Sequence, residues 1–155
     1  MGDRLEDKML ARITLAQVGV NVVYQVLENV AYLGQRGIIR RSERQQVRDW
    51  VWSSRFWAAH VLLEFAKLWR VRALWDRNGV EGMSKEEGEE KEKEGKRKRK
   101  EEVDAWWREL LINACYAPMT IHWSVESGIM SDEWVGLLGA IAGGTGLRKM
   151  WKKTD

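Results

Sequence analysis

Residues Leu110 to Val125 read LLINACYAPMTIHWSV, and Trp134 to Leu147 read WVGLLGAIAGGTGL. Neither segment contains Asp, Glu, Lys or Arg; the turn between them is acidic, and the outer ends are basic. Because lipid cannot hydrogen-bond a backbone, membrane segments are helical and uncharged, and Lys and Arg collect on the cytosolic side. The pattern therefore predicts two membrane-associated helices arranged as a hairpin.

The ends of the second segment carry the residues expected to anchor it. Tryptophan prefers the interface between lipid and water, and we expect Trp134 and Trp151 to lie there. Four basic residues form the predicted cytosolic anchor: Arg148, Lys149, Lys152 and Lys153. At about 1.5 Å per residue, the uncharged run is shorter than a hydrocarbon core of about 30 Å. It spans only if the flanking cations snorkel; otherwise it is re-entrant.

Small residues in the same segment predict close helix packing. Gly139 and Gly143 form a G-x-x-x-G pair, with Gly136 and Ala140 beside them. Small side chains let helix backbones approach closely in lipid. The alternative is a soluble helix packed through glycine, which costs roughly 1 kcal/mol per glycine relative to Ala.

The whole chain favours an all-α fold. It contains one proline, and few segments alternate in the way that strands require. We expect four helices: Leu5–Leu33, Glu43–Asp76, one that starts near Val103 and is bent by Pro118, and one that starts at Ser131.

The first helix is a further membrane candidate. From Ile13 to Leu33, its only charge is Glu28. A polar stripe at helical spacing comprises Gln17, Asn21, Gln25 and Glu28. Apolar residues of the opposite side are Val20, Val23, Leu27 and Val30.

A charged insert divides the helices into two pairs. From Lys85 to Glu102 there are eight Glu and eight Lys or Arg, with no apolar residue. Such a segment cannot bury enough apolar surface to offset its ordering entropy, so we expect 82–102 to be a disordered loop. The predicted units are helical hairpin one (1–81), this loop (82–102) and helical hairpin two with a membrane-embedded end (103–155). The basic run Lys96–Lys100 is either a solvated linker or a contact for anionic lipid.

Few residues have the chemistry of an enzyme. We expect no catalytic site, metal site or cofactor, because no phosphate loop, nucleophile elbow or paired metal ligands occur. His60 and Glu64 lie one helical turn apart. They are either a weak pair of metal ligands or polar residues at the contact between packed helices. The single Cys115 excludes an internal disulfide, and a net charge of +3 does not imply nucleic acid as a partner.

Four blocks of sequence, in order, resemble the peroxisomal biogenesis factor eleven family of peroxins. They are VYQVLENVAYLGQRGI from Val23, WSSRFW from Trp52, NACYAP from Asn113 and WVGLLG from Trp134. The resemblance covers roughly Leu15 to Trp151, with a variable charged insert before the last two blocks. Family members usually carry a longer segment before the first block, including an amphipathic helix.

The resemblance implies a non-catalytic protein of the peroxisomal membrane. Such proteins elongate the membrane before fission, self-associate into homo-oligomers, and are linked to dynamin-type fission machinery. Membrane lipids would be further partners. Two alternatives remain: a soluble helical interaction module, and a pore or metabolite channel lined by Asn21, Gln25 and Glu28.

Overall fold

The computed structural model describes residues 7–81 and 89–151, and these residues form helices without any strand. The four helices are α1 (Lys8–Gln35), α2 (Glu43–Glu81), α3 (Glu89–Trp123) and α4 (Asp132–Trp151). The predicted all-α fold is confirmed. The parts of the sequence predictions that concern residues before Asp7, residues 82–88, or residues from Lys152 onwards lie outside the described residues.

Each helix packs mainly against its neighbours in sequence: α1 on α2, α2 on α3, and α3 on α4. The two central helices thus have two major partners each, whereas α1 and α4 have one each. Large parts of α1 and α4 are left exposed for this reason.

The turn between α1 and α2 is fixed by two local motifs. Gly37 has φ +70°, its N–H bonds to the Gly34 carbonyl, and the Ile38 N–H bonds to the Leu33 carbonyl. This is a Schellman ending, which favours glycine at the left-handed position. Ser42 and Gln45 then form a reciprocal capping box, which starts α2 at Glu43.

α3 begins at Glu89, earlier than the sequence indicates, so the second part of the predicted charged loop is helical. Ion pairs spaced by one turn support these turns: Lys98 with Glu94 at 2.7 Å, and Arg97 with Glu101 at 3.8 Å. The side chains of residues 93–102 are all exposed, and none of them is apolar. α3 then continues through Pro118 to Trp123.

The turn between α3 and α4 depends on His122. Its Nδ1 accepts hydrogen bonds from the backbone N–H groups of Ile129 (2.9 Å) and Met130 (3.0 Å). Gly128 has φ +64°, and a Cβ built there would lie 2.5 Å from His122 Cε1. The turn therefore requires both an imidazole and a glycine.

We expect Gly128→Ala to destabilise the protein, by about 1–2 kcal/mol for the left-handed backbone alone and more for the clash with His122. Gly95→Ala is the matched control, because Gly95 lies on an exposed part of α3 with nothing within 4 Å of the added Cβ. It should stabilise its helix by up to about 1 kcal/mol. Denaturant unfolding in detergent measures both variants, and equal effects of the same sign would contradict this description of the turn.

A largely buried ion pair connects the start of α1 to α2. Asp7 caps α1 by accepting from the N–H groups of Met9 and Leu10, and it pairs with Arg70 at 2.6 Å. The hydrogen bond from the Arg70 guanidinium, together with those from the backbone, lowers the pKa of Asp7 from 3.8 to about 2.

This lowered pKa predicts an acid-dependent attachment of α1. Because the folded-state pKa lies below the ordinary value, the stabilisation is complete above about pH 4 and is lost as the pH falls through about 2. Asp7→Asn should remove that dependence, and Asp7→Ser should keep the cap while losing the ion pair. The check is proteolysis of the α1 end as a function of pH; an unchanged acid profile in Asp7→Asn would refute the prediction.

Polar residues are unusually frequent in the interior of the described residues. Nine apolar and six polar or charged side chains are buried, and Ser53 and Thr120 are among the most completely buried. Large apolar side chains are at the same time exposed on all four helices. Exposed apolar side chains in such number are typical of surfaces that contact a membrane or another protein.

Candidate membrane-facing surface and aromatic cleft

The outward side of α1 exposes four large apolar side chains. Leu15 is 73% exposed, and Val18, Val22 and Val26 are each 57% exposed. Their spacing of three and four residues places them on one helical face. We call these four residues the outer face of α1. No charged residue lies on this face between Arg12 and Arg36.

The inward side of α1 carries polar groups. Gln17 is buried, and Tyr24 and Glu28 are half-buried towards the other helices. Asn21 and Gln25, which the sequence places in the same polar stripe, are exposed instead. α1 thus exposes large apolar side chains and buries some polar ones, an arrangement found in helices that face lipid.

Length and composition also single out α1. Within residues 7–81 and 89–151 it is the one helix long and apolar enough to cross a membrane, with mean hydropathy 1.3 and only 11% of the best window buried. The segments at Leu110–Val125 and Trp134–Leu147 do not meet this criterion. Their membrane association stays a prediction, and the short second segment fits re-entry better than spanning.

The predicted anchors lie at the two ends of α4. Trp134 is 60% exposed near the start of the helix, and Trp151 is 68% exposed at its last residue. Arg148 is exposed beside the second of these. The side chain of Lys149 and all of Lys152 and Lys153 lie outside the described part of the chain.

The predicted small-residue face is divided between two environments. A Cβ on Gly139 would lie 3.7 Å from the Met119 methyl, so this glycine faces α3. Gly136 and Gly143 are exposed, with nothing within 4 Å of an added Cβ, and Ala140 is exposed beside them. Gly139 therefore packs within the chain, and the other three remain open to a second helix.

An aromatic cluster joins three helices around Trp57 of α2. Its ring lies 6.3 Å from Tyr24 of α1, and 5.5 Å from both Tyr116 and Trp123 of α3. Arg55 strengthens the same junction, because its Nε donates to the Ser124 carbonyl at 3.3 Å. We call this the Trp57 cluster. Sequence reasoning missed it, since periodicity shows that Trp57 is apolar-facing but not which helices it meets.

A cleft of about 370 Å³ opens beside this cluster. Four aromatic rings line it, from Tyr24, Trp50, Trp57 and Trp123. Ser53, Ser54 and the carboxylate of Glu28 complete the lining. Both serine hydroxyls donate to the Trp50 carbonyl, at 2.8 and 3.0 Å, so their hydrogens are used within α2 and do not point into the cleft.

The described residues do not assemble a metal site. No group of three or more His, Cys, Asp or Glu side chains comes together in the described ranges. Glu64 bonds to Lys67 at 3.0 Å, and His60 Nδ1 is buried without a hydrogen-bond partner. Cys115 is a buried free thiol.

Comparison with known proteins decides the assignment. The model of the family described as peroxisomal biogenesis factor 11 (PEX11) matches residues 1–151. This chain belongs to the PEX11 family. The family is one of peroxisomal biogenesis factors, so membership supports a role in peroxisome biogenesis.

A curated protein resembles this chain over most of the chain's length. An uncharacterised protein of Schizosaccharomyces pombe is 31% identical over 132 residues, which are 84% of this chain and 55% of the relative. The chain thus spans about half the length of that protein. No solved structure matches this chain.

Proposed function

We propose that this protein elongates the peroxisomal membrane before fission, without catalysis, by inserting helices into the bilayer and by binding further copies of itself. The observation that carries the proposal is the orientation of α1, whose outer face exposes one leucine and three valines while Gln17 is buried and Glu28 half-buried. Family membership supplies the peroxisomal setting.

The mechanism follows from the way the apolar surface is distributed. α1 and α4 each have one major packing partner, so each has a large part of its circumference available to lipid. α1 is long enough to reach across a bilayer, whereas the uncharged part of α4 reaches only about 21 Å. A shorter helix that enters from one side displaces lipid unequally between the leaflets, and this inequality favours curvature.

Self-association would add many such insertions along one membrane. Gly136, Ala140 and Gly143 offer an exposed small-residue stripe on α4. A second copy of α4 could pack closely there, because contact between backbones supplies the attraction in lipid. The dynamin-type fission machinery belongs to the proposal as a downstream partner of the elongated membrane.

Substitutions at Gly143 and Gly139 of α4 test this proposal. Gly143→Leu should abolish cross-linking between full-length copies and shorten peroxisomes in cells, with helical content unchanged, because no atom of the described residues lies within 4 Å of a Cβ added there. Gly139→Leu should also disturb packing within the chain, since it meets Met119.

Leu137→Ile is the matched control, because Leu137 is exposed on α4 and the change preserves its apolar volume. It should leave cross-linking and peroxisome length as they are in the parent. If Gly143→Leu cross-links and elongates peroxisomes like the parent, the interface between copies lies elsewhere.

A further inference from the structure

The aromatic cleft contains a charge that the proposed membrane insertion does not use. Glu28 is half-buried, is the only charged residue between Ile13 and Gln35, and lines the cleft beside four rings. No Lys or Arg of the described residues forms an ion pair with it. The Tyr24 hydroxyl, one turn away, is the group that interacts with it.

The surrounding rings add negative electrostatic potential to this carboxylate. Aromatic faces attract cations through their quadrupole, and tryptophan does so most strongly. Trp50 and Trp57 lie two turns apart on one face of α2. Trp123 stacks on Trp57 at an interplanar angle of 16°. The cleft is thus half open and lined by aromatic residues and one carboxylate, and its volume of about 370 Å³ lies in the range of roughly 300–1,000 Å³ typical of small-molecule sites.

We propose that this cleft binds a quaternary ammonium group. A trimethylammonium cation has a diffuse charge and no N–H, so it needs ring faces and a counter-ion rather than hydrogen-bond acceptors. A metal ion would need several oxygen, nitrogen or sulfur ligands, and the cleft offers one carboxylate. A primary ammonium is strongly hydrated, and losing its water would require acceptors for three donors; besides Glu28, the cleft offers only the oxygens of Ser53 and Ser54, which are 2% and 9% exposed.

Two sources share this chemistry: free choline and the head group of phosphatidylcholine. Arg55 lies beside the cleft, where it holds the carbonyl of Ser124 next to Trp123. Its guanidinium is exposed and could bind a lipid phosphate when the choline occupies the cleft. Short-chain phosphatidylcholine should therefore bind more tightly than free choline if the lipid is the ligand.

The test uses the full chain in maltoside detergent, which contains no ammonium group. Choline is titrated into the protein, and its binding is measured by saturation-transfer NMR on its methyl protons. Choline should bind, and ethanolamine should bind at least about tenfold more weakly. Glu28→Gln and Trp50→Leu should each weaken choline binding by about tenfold or more. Trp50→Phe should restore part of it because a ring face remains.

Trp69→Leu is the matched control, since Trp69 is exposed on α2 and outside the cleft, and it should bind choline like the parent. A second arm compares dihexanoyl phosphatidylcholine, below its micelle concentration, with choline. Tighter binding that Arg55→Gln abolishes identifies the lipid head group; equal binding identifies the free cation. Either result supports the proposal.

Absence of choline and phosphatidylcholine binding would overturn the proposal, as would binding that Glu28→Gln and Trp50→Leu leave unchanged or equal binding of ethanolamine. This inference does not depend on membrane elongation. Glu28→Gln should remain in the membrane fraction, so a failure of ligand binding is distinguishable from a failure of insertion.

Discussion

Two aspartates on the outer face of α1 are expected to release the protein from membranes. Val18 and Val22 are exposed, so Val18→Asp with Val22→Asp leaves the internal packing intact. Aspartate near the centre of a membrane helix costs about 2.5–3.5 kcal/mol, and thus roughly 5 kcal/mol or more for the pair. The helix itself should survive in detergent, because Val and Asp have similar helix propensities. Extraction of the membrane fraction with alkaline carbonate measures the result.

The control replaces the same two residues by leucine, which keeps the face apolar. That variant should stay in the pellet, as should the parent. In a soluble helical module the outer face would meet water, and the aspartates would cost nothing. Retention of the double aspartate variant in the pellet would therefore mean that α1 does not contact lipid.

The second large effect is expected at the centre of the Trp57 cluster. Trp57→Ala removes ring contacts to Tyr24, Tyr116 and Trp123, and so loosens α1, α2 and α3 from one another. Truncation of a packed aromatic residue costs about 3–5 kcal/mol. Denaturant unfolding of the full chain in detergent should show a loss in this range, with earlier proteolysis of α1.

Trp69→Ala serves as the comparison, because Trp69 lies on the same helix but is 79% exposed. Its effect on unfolding should stay within about 0.5 kcal/mol. Trp57→Phe should lose less than Trp57→Ala, since a ring remains to stack. Similar losses at positions 57 and 69 would show that the cluster does not hold the three helices together.

The helical fold was predictable because its signals are local. Ser42, followed three residues later by Gln45, indicates the start of α2 at the residue where the structure begins it. The predicted start of α4 at Ser131 lies one residue before Asp132, with Ser131 in the capping position. Capping and turn geometry depend on a few neighbouring residues, so they can be read without knowledge of tertiary contacts.

The start of α3 was less accessible to sequence reasoning. Composition predicts disorder wherever apolar residues are missing, and it takes no account of regular ion pairs such as Glu94 with Lys98. These pairs, repeated at helical spacing, support the exposed turns of α3 from Glu94 to Glu101. The predicted loop was therefore wrong for residues 89–102, which are helical, although residues 93–102 are exposed.

The sequence also left open which side of α1 meets the protein. A polar stripe faces water on a soluble protein but faces other helices in lipid. The structure turns Gln17 and Glu28 inward and exposes Val18 and Val22, whereas the sequence alone grouped polar residues without an orientation. The aromatic cleft was inaccessible for a related reason, since it requires residues from three helices to meet.

The depth of Val22 in a bilayer tests the central claim most directly. A nitroxide attached through Val22→Cys, in a Cys115→Ser background and in phospholipid vesicles, should be more accessible to oxygen than to a water-soluble nickel chelate. The same label attached through Lys98→Cys, on the exposed part of α3, should show the opposite preference. If the label at position 22 is as accessible to nickel as the label at position 98, the outer face of α1 lies in water and the account is wrong.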